Sequence, residues 1–555
     1  MAIDIAVHVN ADEALVAWRP TSIPPDWMGF EVWRRDAATG VETPLNNRIP
    51  VDPAGGPVPA GGVASTLSPI RRLMWIDYQL DEGEAVQYRV VPVRRTADGA
   101  LEPVADEASP WSRQVRATGD GDGDLRAVFN RGTLMSQVVS RFVQGEPTPG
   151  RLKKLVKTLA VPGGAARRYL SGQARSEILG FLASADRRGS EVHAALYECN
   201  DEELIAALKA FGGRGHVLIG NGAGTREGLA KEMADAGLEV RTRDLSHSGA
   251  SSPSVHNKFV VESQRGRAVR VLTGSTNWTV TGLCTQLNNV LVVDRPALAE
   301  RYRDQWNALV TAGDDMPGTL KRANERVEVD GRTELYFSAT PNGAELAAVE
   351  ALIRGARKAV FFLMFMPGQS PVLQAALDRN AEARGPIVRG VVSSVTESKK
   401  GRIVSHEGRV VSKDKDLVLR ETRRKTTILL PSGVKQASNA PKWAREEFAA
   451  SDFLSAGLRA IVHSKVIVID PWERDCAVVA GSHNFSPSAS QKNDENLLIV
   501  RGDRGLAERY AVHIQSVYDH YSWRTFLHEG GRPDALQGLQ GWETGQRAKD
   551  VAFWT

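Results

Sequence analysis

At 555 residues the chain is too long for one typical core, so two to four domains are expected. Its hydrophobic fraction of 42% and charged fraction of 25% are ordinary for a soluble globular protein. A net charge of +4 permits an anionic partner without demanding one, and Cys199, Cys284 and Cys476 lack the spacing of a disulfide framework or a zinc site.

The first residues, MAIDIAVHVNADEALVAW, have no basic start followed by an apolar core, so no Sec-type signal is expected. The most apolar stretch, Ala359 to Met366, is far too short to span a bilayer and reads as a buried strand. A cytoplasmic location follows as an expectation, with signal-independent export left open. The cysteines read as free thiols of a reduced compartment.

Residues 1–118 read as an all-β module. DIAVHV, EALVAW, GFEVWRR and AVQYRVVPVRR are short alternating runs separated by Pro, Gly and Asp turns, with Trp18 and Trp33 as candidate core aromatics. Leu80 to Val90, around Tyr88, resembles the tyrosine corner and following strand of fibronectin type III modules, which implies a β-sandwich. The module holds no catalytic grouping. It reads as a spacer or cap, or as a surface that docks substrate or partner. Residues 119–124, GDGDGD, read as a Gly/Asp linker, since the distal Glu of a calcium loop is missing.

Residues 125–325 and 326–555 read as two copies of one α/β unit. Arg168–Ser171 is matched with Leu335–Ser338, Val192–Glu198 with Val360–Met366, and Leu204–Leu208 with Leu373–Leu377. Leu298–Tyr302 returns as Leu506–Tyr510. The offset grows from 167 at Tyr169 and Tyr336 to 207 at His256 and His463, so the second copy carries up to 207 − 167 = 40 extra residues before its motif. These map to about 396–440, where basic residues from Lys399 to Lys425 outnumber acids. The segment reads as a β-hairpin: a solvated surface element, or a basic flap that recruits nucleic acid or anionic lipid. It lacks the interleaved aromatics of a single-strand stacking platform.

The copies share one pattern. Residues 461–499 hold His463, Lys465 and Asp470, a strand at Val466–Ile469, a second strand at Ala477–Ala480, then Gly481, Ser482 and Asn484. Residues 255–293 hold His256, Lys258, a strand at Phe259–Val261, then Gly274, Ser275 and Asn277. An imidazole, an ammonium, a hydroxyl and an amide that converge suit an anionic, oxygen-rich group such as a phosphate. H-x-K-x-x-x-x-D followed by G-S-x-N, present twice, resembles the phospholipase D superfamily over roughly residues 125–525. The first copy departs from it: Ser263 stands at the Asp position, with Glu262 one residue early.

Two lobes that face each other across a pseudo-twofold bring His256 and His463 into one site. Phosphodiester cleavage needs a nucleophile and an acid for the leaving oxygen, which two imidazoles can divide between them. Lys258, Lys465, Asn277 and Asn484 then hold the non-bridging oxygens. No metal or other cofactor is called for, because the lysines neutralise the charge. The resemblance implies a covalent phosphohistidine intermediate resolved by water or an alcohol. It also implies an acid past G-S-x-N that orients the histidine of the opposite copy. That position is Glu495 in the second copy and Asn288 in the first. His256 is therefore the expected nucleophile and His463 the general acid. Asp470 supports the second-copy loop, whereas Ser263 cannot do so as an anion. Ser275 and Ser482 are supporting donors or turn residues. Glu198 and Asn200 close the strand that begins at Val192 and are placed near the cleft.

The expected fold is thus two α/β/α sandwich lobes with mixed sheets, after a β-sandwich module. The expected activity is phospholipase D-like cleavage of phospholipid headgroups, with transphosphatidylation as a variant and peripheral membrane contact. A metal-independent nuclease of the same superfamily and a phosphate-binding protein without activity are the alternatives.

Overall fold

The computed structural model describes residues 2–48, 62–132, 157–246, 253–393, 403–404, 410–412, 428–429, 461–528, 539, 542 and 545–555. Most of the basic insertion at 396–440 lies outside them. The chain divides into two compact units. One contains Met1–Gly119 and Ser522–Thr555; the other contains Asp120–Lys435 and Ala449–Tyr521.

In the first unit, Ile3–Val9, Ala14–Pro20 and Met74–Asp77 form a three-stranded antiparallel sheet. A second antiparallel sheet runs Val115–Arg116, Ala85–Arg95, Trp27–Asp36, Glu42–Pro44, with Leu101–Pro103 also on Ala85–Arg95. Trp18 meets Phe30 edge-on at 5.5 Å between centroids, and both are fully buried. Trp33, expected in the core, is only partly buried. Strand alternation sends Phe30 and Val32 inward and puts Trp33 on the other face, where its indole N–H donates to Glu31. Tyr88 is buried and its hydroxyl donates to the Asp77 carboxylate at 3.0 Å. A tyrosine corner bonds to backbone instead. The C-terminal helix Gly545–Trp554, which the sequence reading placed at the end of the second lobe, belongs to this unit, and His8 Nε2 donates to the Trp554 carbonyl at 2.9 Å.

The second unit holds two sheets with the same strand order. In the first lobe the order is Leu125–Phe129, Asn289–Val293, Arg267–Gly274, Lys258–Gln264, Glu191–Leu196, Gly215–Gly220, Glu239–Arg243. In the second it is Thr333–Ser338, Glu495–Arg501, Ala477–Gly481, Val466–Ile469, Ala359–Met364, Ile387–Val392, Ile428–Leu429, with Glu328–Asp330 added at the edge. The seven matched strands of each sheet make four antiparallel pairings followed by two parallel ones, and Glu328–Asp330 adds a fifth antiparallel pairing in the second lobe. The β-branched runs read as strands are buried throughout at Val466–Ile469 and Ala477–Gly481, as sheets covered on both faces require. Helix Pro296–Ala312 buries Leu298, Tyr302, Trp306 and Leu309, one face at helical spacing. This is the mixed α/β fold expected of phospholipase D-like lobes.

One repeat match is corrected. Arg168–Ser171 lies in helix Ala165–Arg187, whereas Leu335–Ser338 lies in a strand. The counterpart of Thr333–Ser338 is Leu125–Phe129, because Phe129 pairs with Asn289 as Phe337 pairs with Asn496. The offset is therefore 337 − 129 = 208 at the first strand, 360 − 192 = 168 at the next, and 463 − 256 = 207 at the histidines. The first lobe carries 208 − 168 = 40 extra residues between its first two strands, which balance the 207 − 168 = 39 extra in the second lobe before its motif.

Candidate active site

The two lobes are joined by backbone where the motifs begin. Gln286–Leu287 pairs in parallel with Ile461–Val462, and Val255 forms a parallel bridge with Asp494. His463 N donates to the Leu287 carbonyl at 2.9 Å, and His256 N donates to the Asp494 carbonyl at 3.0 Å. Both contacts are related by the offset of 207, so the seam has a local twofold. Buried side chains repeat it: Tyr302 donates to Asn496 Oδ1 at 3.0 Å, and Asn289 Nδ2 donates to the Tyr510 hydroxyl at 2.9 Å.

Across this seam the imidazoles of His256 and His463 stand 6.3 Å apart between centroids, with their planes inclined at 67°. His256 Nδ1 donates to Glu495 Oε2 at 2.7 Å. His463 Nδ1 meets Asn288 Oδ1 at 2.8 Å and the Ser275 carbonyl at 3.1 Å. With Nδ1 engaged as donor, the hydrogen-bond network leaves each Nε2 as the nitrogen with a lone pair. Ser482 donates to Glu495 Oε2 at 2.9 Å, and Ser275 donates to Asn288 Oδ1 at 2.8 Å, so each serine steadies the group that holds a histidine.

Lys258 Nζ donates to the His256 carbonyl at 2.6 Å, and Lys465 Nζ donates to that of His463. Each ammonium also lies over an aromatic face: Lys258 is 5.0 Å from the Tyr197 ring and Lys465 is 4.9 Å from the Phe365 ring. Tyr197 is 4.9 Å from His256, and Phe365 is 4.7 Å from His463. Sequence reasoning did not single out these two aromatics. The signal was present, since they occupy the same position in the matched segments 192–198 and 360–366. Asn277 Nδ2 donates to Glu198 Oε2 at 2.7 Å, and the side-chain oxygens of Asn277 and Asn484 are buried without a hydrogen-bond partner.

Burial sets the electrostatics. It takes His256 down to about 4, against the pull of Glu495. His463 lies well below the usual imidazole range, through burial and then the charges of Lys465 and Lys258. Burial brings Lys258 to about 7, opposed by Glu495 and Glu198, while burial and Lys258 take Lys465 well below the usual ammonium range. Burial works to raise the Glu495 carboxyl, yet His256 holds it below its ordinary value. The site thus gathers desolvated basic groups with few carboxylates to balance them. An anionic group bound among them would favour their protonated forms. Among the described residues no group of three or more His, Cys, Asp or Glu side chains is arranged to hold a metal ion.

The supporting acids differ between lobes. Asp470 accepts from the backbone N–H groups of Arg357, Lys358 and Ala359 at 2.7 to 2.8 Å and so fixes the start of the strand Ala359–Met364. In the first lobe Ser263 leaves its hydroxyl without a hydrogen-bond partner. Its neighbour Glu262 supplies the anion instead: Arg188 donates to it at 2.9 and 2.7 Å, Ser190 at 2.7 Å, and Arg270 pairs with it as well. Arg188 and Ser190 lie just before the strand Glu191–Leu196 and Arg270 lies in the strand Arg267–Gly274, so the first copy is anchored despite the loss at Ser263. His483 turns from the site toward Glu345, at 3.6 Å, and His193 stacks on His216.

A site lined by paired lysines and histidines on the seam of two matched α/β lobes is the defining feature of the chain. The family model described as "Cardiolipin synthase, PLD-like domain" matches residues 178–310 and 349–518, one stretch in each lobe. The chain belongs to this phospholipase D-like family. It is 27% identical over 97 residues to a mitochondrial cardiolipin hydrolase of Danio rerio, a match to 18% of this chain and 38% of that protein. The chain therefore spans well under half the length of that relative. Among solved structures it is similar to a phosphatidylserine synthase of Haemophilus influenzae, with 15% identity, a TM-score of 0.40, and coverage of 69% of this chain and 93% of the other. It is also similar to Nuc, a phospholipase D family member of Salmonella typhimurium, with 17% identity, a TM-score of 0.19, and coverage of 34% and 95%.

Proposed function

We propose that the chain is a phosphodiesterase that cleaves phospholipid headgroups through a covalent phosphohistidine. The observation that carries this reading is the unequal support of the two imidazoles: a carboxylate, Glu495, on His256 and an amide, Asn288, on His463. The carboxylate stabilises the imidazolium character that develops as His256 Nε2 bonds to phosphorus. The bond from phosphorus to the leaving oxygen breaks, and His463 passes that oxygen a proton. Water then gives its proton to His463 and attacks phosphorus, and the N–P bond breaks to free His256. Lys258, Lys465, Asn277 and Asn484 take the charge on the non-bridging oxygens. Apart from substrate, His463 is held neutral; the anionic phosphodiester beside it favours its protonation and readies it as the acid.

The lipid assignment is supported by the family's description and by the name of the Danio rerio relative. It is supported also by the wall on the second-lobe side, where Phe365 is followed by Met366, 51% exposed. The basic run at 396–440 favours a nuclease as the second reading. A turnover assay with EDTA present separates them, with vesicles of phosphatidylcholine, phosphatidylethanolamine, phosphatidylglycerol or cardiolipin set beside single- and double-stranded DNA and RNA. Headgroup release with formation of phosphatidic acid is the expected result. Cut nucleic acid beside intact lipid overturns it in favour of the nuclease. The absence of both turnover and a phosphohistidine adduct leaves a phosphate-binding protein.

A further inference from the structure

The local twofold fails at one position beside the imidazoles. Glu198 follows Tyr197 in the first lobe, and Met366 follows Phe365 in the second. Glu198 is held by both oxygens: Oε2 accepts from Asn277 Nδ2 at 2.7 Å, and Oε1 accepts from Gly224 N at 3.1 Å. The loop after the strand Gly215–Gly220 is moulded to this side chain. A Cβ at Gly222 would lie 2.5 Å from Glu198 Cγ, and one at Gly224 would lie 2.8 Å from its Cδ. Neither glycine has a positive φ, so both are there for room rather than for backbone conformation. Asn200 Nδ2 closes the loop on the Gly224 carbonyl at 2.9 Å. Asn484, the twofold mate of Asn277, has Met366 in place of such a carboxylate.

We propose that Glu198 is a positioning residue that locks the Asn277 carboxamide, one N–H on the carboxylate and the other free for a non-bridging phosphoryl oxygen. The proposal rests on the catalytic reading above. A carboxylate accepts only, so it excludes the flipped amide that would turn Oδ1 toward the phosphate. An ionised acceptor also polarises the amide and strengthens its second N–H. The same negative charge opposes ground-state binding of an anion. Glu198 therefore favours the transition state over the bound substrate, which raises kcat rather than lowering KM. The lysines are faced by each other, by His256, His463 and Tyr197, and by the carboxylates of Glu495 and Glu198. Loss of one carboxylate makes both ammonium groups easier to deprotonate.

The test uses the full chain and bis(4-nitrophenyl) phosphate. Glu198→Gln is isosteric and keeps an oxygen for the Asn277 N–H; Gly222→Ala crowds Glu198 and leaves the charge in place. For Glu198→Gln the expected result is a kcat lower by about tenfold, an unchanged or lower KM, tighter inhibition by inorganic phosphate, and an alkaline limb of the pH profile moved to lower pH. Gly222→Ala should lower kcat without moving that limb. An unchanged kcat in Glu198→Gln, or a rise in KM alone, overturns the proposal while the catalytic reading stands. A wild-type chain that turns over no phosphodiester overturns the catalytic reading and this proposal together.

Discussion

His256 and Glu495 lie 239 residues apart in the chain and 2.7 Å apart in space, one from each lobe. The matching position opposite His463 is Asn288. On the proposed mechanism this difference separates the duties of the two imidazoles, and substitution can probe it. Glu495→Gln should lower kcat by about 10²- to 10⁴-fold, with adduct formation slowed in step. Asn288→Asp should raise the pH at which His463 takes its proton, read by NMR titration of the imidazole. An unmoved His463 titration in Asn288→Asp would contradict the electrostatic account.

The histidines should also separate by leaving group. His256→Ala should abolish the phosphohistidine adduct with every ester. His463→Ala should slow a nitrophenyl phosphodiester least, because a good leaving group needs little protonation. The check is quenched-flow mass spectrometry with good and poor leaving groups. Equal loss on both would remove His463 from the role of acid.

Phosphate binding should draw protons from solution. Burial holds His463 and Lys465 well below their usual ranges and Lys258 at about 7, so these groups are short of protons at neutral pH. An anion raises all three. Calorimetry of inorganic phosphate at pH 7, in two buffers of different ionisation enthalpy, should report net proton uptake. Release of protons would reverse the sign of the argument.

The two anchoring acids should matter for stability in different ways. Asp470→Ala orphans three backbone N–H groups and should cost about 1–3 kcal/mol for each group left unsatisfied, measured by urea unfolding. For Glu262, burial opposes its charge, yet hydrogen bonds from Arg188, Ser190 and Arg270 bring it to about 2. Its folded value is lower than its unfolded one, so its contribution is present above the ordinary carboxylate range and is lost as pH falls toward about 2. Glu262→Gln should flatten that acid-side loss of stability. An unchanged slope would exclude the linkage.

Much of the site was legible in the sequence because its parts recur with strict local spacing. The pair His256 and Lys258 and the pair His463 and Lys465 need only a strand entry to fix their faces. Glu495 and Asn288 needed the family pattern as well, since nothing local shows that a residue will reach the opposite lobe. Tyr197, Phe365 and Glu198 were harder to weigh, because their partners come from loops distant in sequence. The mistaken match of Arg168–Ser171 with a strand has a physical cause too: a short apolar-polar tetrapeptide fits either period, and only the strand ladder shows which. The extra 40 residues of the first lobe were hidden by that match. Glu262 was visible as an acid one residue early, but its ability to replace Asp470 depends on Arg188 and Arg270, brought to it only by folding.

The backbone bonds from His256 N to the Asp494 carbonyl and from His463 N to the Leu287 carbonyl make each half of the site a product of the other half. Neither histidine can take up its working position until the opposite lobe has folded and docked. On the proposed mechanism, nascent chain that has emerged only through the first motif should thus be inactive, and a nick between the lobes should be tolerated as long as the seam stays closed. Reactivity toward phosphodiesters would in this sense report completed assembly rather than a property of either repeat.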